Sequence, residues 1–134
     1  MTSFPLKIVT PDGLIFDGQA EQLTVRTTTG DMGILAGHIN CVAPLGMGRA
    51  TVISGGKKRY AACIGGMLSV VSGTVTLVPT TFEWSDEIDA QRAEAAYQRA
   101  DQILKNKDSS ATEIRLAEAK LHRALVRKSV ASYK

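Results

Sequence analysis

The residues best suited to chemistry in this chain are arginines and carboxylates set at helical intervals. Arg92 and Arg99 lie seven positions apart, so in a helix they share one face. Arg123 and Arg127 lie four apart and share a face of a later helix. Guanidinium forks match phosphate oxygens, and several brought together repel one another until a polyanion neutralises them. Glu83 and Asp89 stand near the first pair in sequence and can accept hydrogen bonds from an amine or a hydroxyl. Spacing alone leaves a bland alternative open. Asp89 and Arg92, three apart, also suit a surface ion pair worth about 0.2–0.5 kcal/mol, and basic residues on a last helix usually form a solvated face.

Catalytic constellations are missing from the sequence. It holds no GxxxxGK[ST] phosphate loop, no HExxH pair and no GxSxG elbow. His38 follows Gly37 and reads as a turn residue, while His122 sits on a basic helix far away in sequence. Gly65-Gly66 follows a strand but opens no helix, so it is no dinucleotide fingerprint. Cys41 and Cys63 lie in apolar segments without CxxC spacing or a histidine cluster, as buried reduced thiols do. No metal site is expected.

The elements that must position the arginines change character near residue 85. Before it, short alternating segments are separated by turns: Leu6–Val9, Leu14–Asp17, Ala20–Thr28, Cys41–Pro44, Arg49–Ile53, Lys58–Ile64, Met67–Val71 and Thr74–Val78. Thr10-Pro11-Asp12-Gly13 suits a type I turn, and Gly65-Gly66 is expected to break a strand. No helix intervenes to support a parallel βαβ unit, so a β-sandwich or barrel follows. After residue 85 the apolar period becomes helical. Ser85 or Asp86 is the expected cap, and Ile88, Ala93, Ala96, Tyr97, Ala100, Ile103 and Leu104 form a first stripe. Asn106–Ser109 breaks it, and Ser110-Ala111-Thr112-Glu113 is a capping box that opens a second helix. Its stripe reads Ile114, Ala117, Leu121, Ala124, Leu125 and Lys128. The expected fold class is therefore α+β: a sandwich over residues 1–85 and an antiparallel helical hairpin over 86–134. Equal counts from a turn near Asp108 place Arg92 opposite residue 124, close to Arg123 and Arg127. Alanine-rich stripes bury little apolar area, so this hairpin is expected to open.

An apolar fraction of 44% over 134 residues is enough for one packed domain with an appendage. The net charge of +3 is unevenly spread. Residues 1–85 nearly balance, whereas Arg115, Lys120, Arg123, Arg127, Lys128 and Lys134 face only Glu118, which predicts an acidic partner for the last helix. No apolar run approaches the roughly 20 residues of a membrane span. Met1 to Lys7 lacks the apolar region of a signal peptide, so a cytosolic chain is expected.

Three stretches resemble the epsilon subunits of bacterial F-type ATP synthases. They are Val9-Thr10-Pro11-Asp12-Gly13, then Gly30-Asp31-Met32-Gly33-Ile34-Leu35-Ala36-Gly37-His38, then Ile88-Asp89-Ala90-Gln91-Arg92-Ala93. Relatives commonly carry proline at the place of Ala36 and glutamate at that of Asp31. The resemblance spans nearly the whole chain. It implies a ten-stranded β-sandwich with two C-terminal helices, in a non-catalytic subunit of the central stalk. It also implies a gamma-subunit partner, a ring of c subunits touched through Asp31, Gly37 and His38, and a peripheral place on the cytoplasmic side of the cell membrane. The extended hairpin would inhibit ATP hydrolysis by presenting Arg115, Lys120, Arg123, Arg127 and Lys128 to the alpha and beta catalytic subunits. The folded hairpin would bind ATP as a regulatory ligand, with no other cofactor. Glu83 and Asp89 would hold the nucleoside, Arg92, Arg99, Arg123 and Arg127 the phosphates, and Ile88 and Ala93 belong to the same motif. The complex would couple rotation to proton or sodium transport. A competing reading is a nucleic-acid-binding module built on the basic helix, but that helix carries only Tyr133 for base stacking.

Overall fold

Alternation along the first 84 residues becomes a folded-over sheet. The computed structural model describes residues 2–133. Eight strands are seen: β1 (Phe4–Thr10), β2 (Gly13–Ala20), β3 (Gln22–Thr27), β4 (Gly30–Ile34), β5 (Cys41–Pro44), β6 (Met47–Ser54), β7 (Lys57–Val71) and β8 (Thr74–Trp84). Every second residue of β1 points inward, so Phe4, Leu6 and Ile8 are buried while Pro5 and Lys7 face out. The inner faces pack Leu23, Val25, Ile34, Val52, Leu68, Val75 and Leu77 into one core.

Eight strands stand where ten were expected, and the reason is β7. Its first half, Lys57–Ile64, pairs with β6, and its second half, Met67–Val70, pairs with β5 along the same edge. On the other edge β8 follows it antiparallel from Val71↔Thr74 to Ala61↔Trp84 without a register shift. One layer thus runs β2-β1-β8-β7-β5 and the other β8-β7-β6-β3-β4, with β7 and β8 shared by both. Each of these long strands takes the place of two short ones. Gly65-Gly66 therefore bends β7 and does not break it. A side chain on Gly66 would strike the Val78 carbonyl and Pro79 of β8, so only glycine lets the ribbon fold this closely.

Beyond β8 the chain makes one 3-10 turn, Ser85–Glu87, before helix α1 (Ala90–Lys105). That turn displaces the expected cap. Asp89, not Ser85 or Asp86, caps α1 by accepting the Arg92 backbone N–H at 3.0 Å. Helix α2 (Ala111–Ala131) opens with the expected capping box: the Glu113 N–H donates to Ser110 Oγ at 3.1 Å, and the Ser110 N–H donates to Glu113 Oε1 at 3.0 Å. That reciprocal bonding holds the Glu113 carboxyl below its ordinary range.

The helices meet through alanine. Ala93 and Ala100 of α1, with Ala117 and Ala124 of α2, are buried at equal distances from the turn. The second stripe is only partly as expected. Leu125 is 48% exposed, while Val126 and Val130 are buried. They form a different face, which packs on Ala62, Met47 and Tyr60 of the sandwich and on Ile88. At the end of α2 the Tyr133 ring lies 5.0 Å from that of Tyr60, with the Arg49 guanidinium over it at 4.3 Å. Helix α2 therefore docks the hairpin on β6 and β7, and α1 reaches the sandwich chiefly through α2.

Candidate functional site

Because α2 carries the docking, α1 stands off from the sandwich. A cavity of about 610 Å³ lies between them. Three pieces of chain wall it. The sandwich gives Thr10, Asp12 and Ile15 from the β1–β2 corner and Thr81, Phe82 and Glu83 from β8. The joint and α1 give Glu87, Ile88, Asp89, Arg92, Ala93, Ala96 and Arg99, and α2 gives Arg127. Arg92 and Arg99, seven positions apart, are spaced about 10 Å along the helix axis, enough to grip a chain of linked phosphates.

Seven of the eight residues expected to hold ATP thus line one cavity: Glu83, Ile88, Asp89, Arg92, Ala93, Arg99 and Arg127. Arg123 does not. It lies one helical turn nearer the hairpin turn, half-buried and off the wall. Nor are the residues expected at the two ends of a bound nucleotide held apart. Arg127 Nε donates to Glu83 Oε1 at 2.6 Å, so a carboxylate assigned to a nucleoside is bound by a guanidinium assigned to phosphate. This pair ties α2 to β8 and leaves Arg92 and Arg99 without an acidic side-chain partner among the described residues. The missed wall residues Thr10, Asp12 and Thr81 carry no helical spacing signal. The TPDG turn is visible in sequence, but its approach to a helix some 80 positions later is a matter of tertiary contact. Trp84, although adjacent to Glu83, points the other way along β8: it is 6% exposed, edge-on to Phe82, with Arg59 stacked on it at 3.7 Å.

The residues expected to reach the catalytic subunits divide into two groups. Arg115 and Lys120 are exposed on α2. Arg123 is half-buried, and Arg127 and Lys128 are occupied while the hairpin is folded: Arg127 pairs with Glu83 of β8, and Lys128 Nζ pairs with Glu94 of α1 at 2.5 Å and sits 4.3 Å from the Tyr97 ring centroid. The Lys128 hydrogen bond, seconded by Gln98, holds the Glu94 carboxyl below its ordinary range. Asp31 lies exposed on edge strand β4 and pairs with Arg26 at 3.3 Å. Gly37 and His38 follow in a loop flanked by Leu35 and Ile39, which are 59% and 78% exposed. His38 Nδ1 lies 2.8 Å from the Ile39 carbonyl and 4.0 Å from Cys41 Sγ, which serves to fix the loop. Burial pushes the Cys63 thiol up to about 12, consistent with an inert core cysteine.

The sandwich and the helices each match a described domain of one protein. Residues 3–85 match the β-sandwich domain of the ATP synthase delta/epsilon chain, and residues 86–132 match its long α-helix domain. The chain belongs to the ATP synthase delta/epsilon family. It is 44% identical over 131 residues to the ATP synthase epsilon chain of Bacillus velezensis, covering 98% of each. With that of Ruminococcus albus it shares 43% over 135 residues, covering the whole of both. In solved structures it resembles a chain of the Euglena gracilis mitochondrial ATP synthase, with a TM-score of 0.83 at 27% identity, covering 96% of this chain and 81% of that one. A chain of the Tetrahymena thermophila central stalk and c-ring shares the fold at a TM-score of 0.62 and 15% identity, covering 96% of each. A delta/epsilon chain is a structural and regulatory subunit of the ATP synthase rather than a catalytic one. No helix among the described residues is long and apolar enough to cross a membrane.

Proposed function

We propose that this chain is a stalk subunit whose helical hairpin regulates ATP hydrolysis and is held closed by ATP in the cavity between α1 and the sandwich. One observation carries the ATP reading: the cavity gathers Arg92 and Arg99, Arg127, and the carboxylates Glu83 and Asp89 from three separate pieces of chain. A nucleotide there would fill the gap that the protein's own contacts leave. It would also screen guanidiniums that otherwise repel. Phosphate oxygens would compete with Glu83 for Arg127, so binding exchanges one ion pair for several. Arg123 is left for the extended state, together with Arg115, Lys120, Arg127 and Lys128, where they would meet acidic segments of the alpha and beta subunits and slow hydrolysis.

The other partners follow from surfaces. The outer face of the β1–β5 layer exposes Val42, Met67, Val71 and Val78, an apolar patch suited to the gamma subunit. Asp31, Gly37 and His38, with Leu35 and Ile39, form the edge offered to the c-ring. The sandwich of residues 1–85 would then be the fixed unit and the hairpin of 86–134 the moving one, peripheral to the membrane on its cytoplasmic side. No observation favours the nucleic-acid reading: the Tyr133 ring packs against that of Tyr60 at a tilt of 43°, and Arg127 and Lys128 are paired with Glu83 and Glu94.

The test is calorimetric titration of the full chain with ATP, with Arg92→Ala as the control. Saturable binding in the parent, weakened at least tenfold in the variant, is expected. No binding to the parent at millimolar ATP would remove the nucleotide from this reading.

A further inference from the structure

We propose that Asp12, on the turn between β1 and β2, is a recognition group for the nucleoside. The ligand would then bridge the first turn of the sandwich to α1. This rests on the nucleotide reading above and adds a residue and an orientation to it.

Three observations lead there. First, Asp12 and Glu83 line the cavity from the sandwich, whereas Arg92 and Arg99 line it from α1. Second, its turn is stiff. Thr10 is 7% exposed, and its Oγ1 accepts the Asp12 N–H at 3.1 Å and donates to the Gly13 carbonyl at 3.4 Å. Pro11 fixes the backbone before Asp12, and Gly13 leaves it at a φ of +130°. The carboxylate is therefore presented by a rigid corner and not by a floppy loop. Third, of the two sandwich carboxylates on the cavity only Asp12 is wholly uncommitted. Glu83 Oε1 accepts from Arg127, whereas the Asp12 side chain has no hydrogen bond or ion pair among the described residues.

Charge then sets the direction of the ligand. A polyphosphate is drawn to Arg92 and Arg99 and repelled by Asp12, so the end that approaches Asp12 must carry donors. In a nucleotide these are the ribose hydroxyls or an exocyclic amine, and a carboxylate accepts from either. Such a ligand touches the sandwich with one end and α1 with the other. It supplies the link between them that alanine packing through α2 does not.

The experiment compares ATP with inorganic tripolyphosphate, which has the phosphates and no nucleoside, on the full chain. Asp12→Ala should weaken ATP about tenfold or more, while tripolyphosphate, relieved of the Asp12 charge, should bind as well as before or more tightly. Asp12→Asn, which keeps the turn's geometry and one acceptor oxygen, should fall between. Arg92→Ala should weaken both ligands. Parent and Asp12→Ala are both titrated with 2′-deoxy-ATP and ITP: a loss in the parent that disappears in the variant assigns Asp12 to the ribose 2′-hydroxyl with the first analogue and to the base amine with the second, and losses of equal size in parent and variant count against the proposal. Unchanged ATP affinity in Asp12→Ala overturns it. So does an equal loss for both ligands, which would mean that Asp12 acts only through the fold. If the parent binds neither ligand, the nucleotide reading itself has failed, and the proposal falls with it.

Discussion

The sandwich and the hairpin are held together by different quantities of the same force. Inside the sandwich, Leu6, Ile8, Leu23, Leu68 and Leu77 are each at most 1% exposed, and burial of one such side chain contributes about 1.5–3 kcal/mol. Between the helices the buried residues are alanines, whose methyl groups contribute nearer 0.8 kcal/mol apiece. Two valines and a tyrosine then fasten the pair to β6 and β7. The difference bears on the regulation proposed above. A hairpin attached by few, small side chains would leave its seat at a cost that a ligand or a partner subunit could meet, and the sandwich core would not need to open with it.

The largest expected effect lies where the comparison is most lopsided. Leu77→Ala removes a fully buried side chain and should destabilise the sandwich by about 2–5 kcal/mol. Thermal unfolding followed by Trp84 fluorescence reads this, since Trp84 is buried in the sandwich core. A loss below 1 kcal/mol would break the contrast. A smaller change is expected from Val130→Ala, and a similar one from Tyr133→Ala, at about 1 kcal/mol each. Both should speed tryptic cleavage of α2 while leaving the Trp84 transition in place. A shift of that transition by either variant would mean that hairpin and sandwich unfold as one.

The smallest effect is acid sensitivity. Glu94 has its carboxyl lowered by Lys128, so the ion pair contributes fully above the ordinary value of 4.5 and is lost as pH falls through the lowered folded value. Hairpin closure, followed by energy transfer between labels on α1 and the sandwich, should hold from neutrality down to about that value and weaken below it. Glu94→Gln should flatten the acid step. An identical step in the variant would assign it to other carboxylates.

Much of this contrast can be read from residue types. The change of period after Trp84, the Ser110–Glu113 capping box and the alanine stripes all describe local geometry, which neighbouring residues dictate. What could not be read depends on distant partners. The stripe of α2 included Leu125 and omitted Val126 and Val130 because a single period assumes a single partner, and α2 has two. Gly65-Gly66 reads as a stop because glycine is permissive, yet β8 on one edge and β5 and β6 on the other carry the strand through. Arg123 and Arg127 share a helical face, but only the turn nearer β8 reaches the cavity. Asp12 was legible as part of a turn and not as part of a wall.

The strands common to both layers also decide how the subunit bears load. Side-chain packing between two separate sheets can shear, because it has no preferred register. Here β7 and β8 pass from one layer to the other as unbroken backbone, bonded to each other along their length. A twisting force applied at the apolar outer face or at the loop around His38 would therefore be carried by covalent bonds and a hydrogen-bonded ladder. Under the proposed coupling the sandwich would turn as a stiff block, with compliance left to the hairpin.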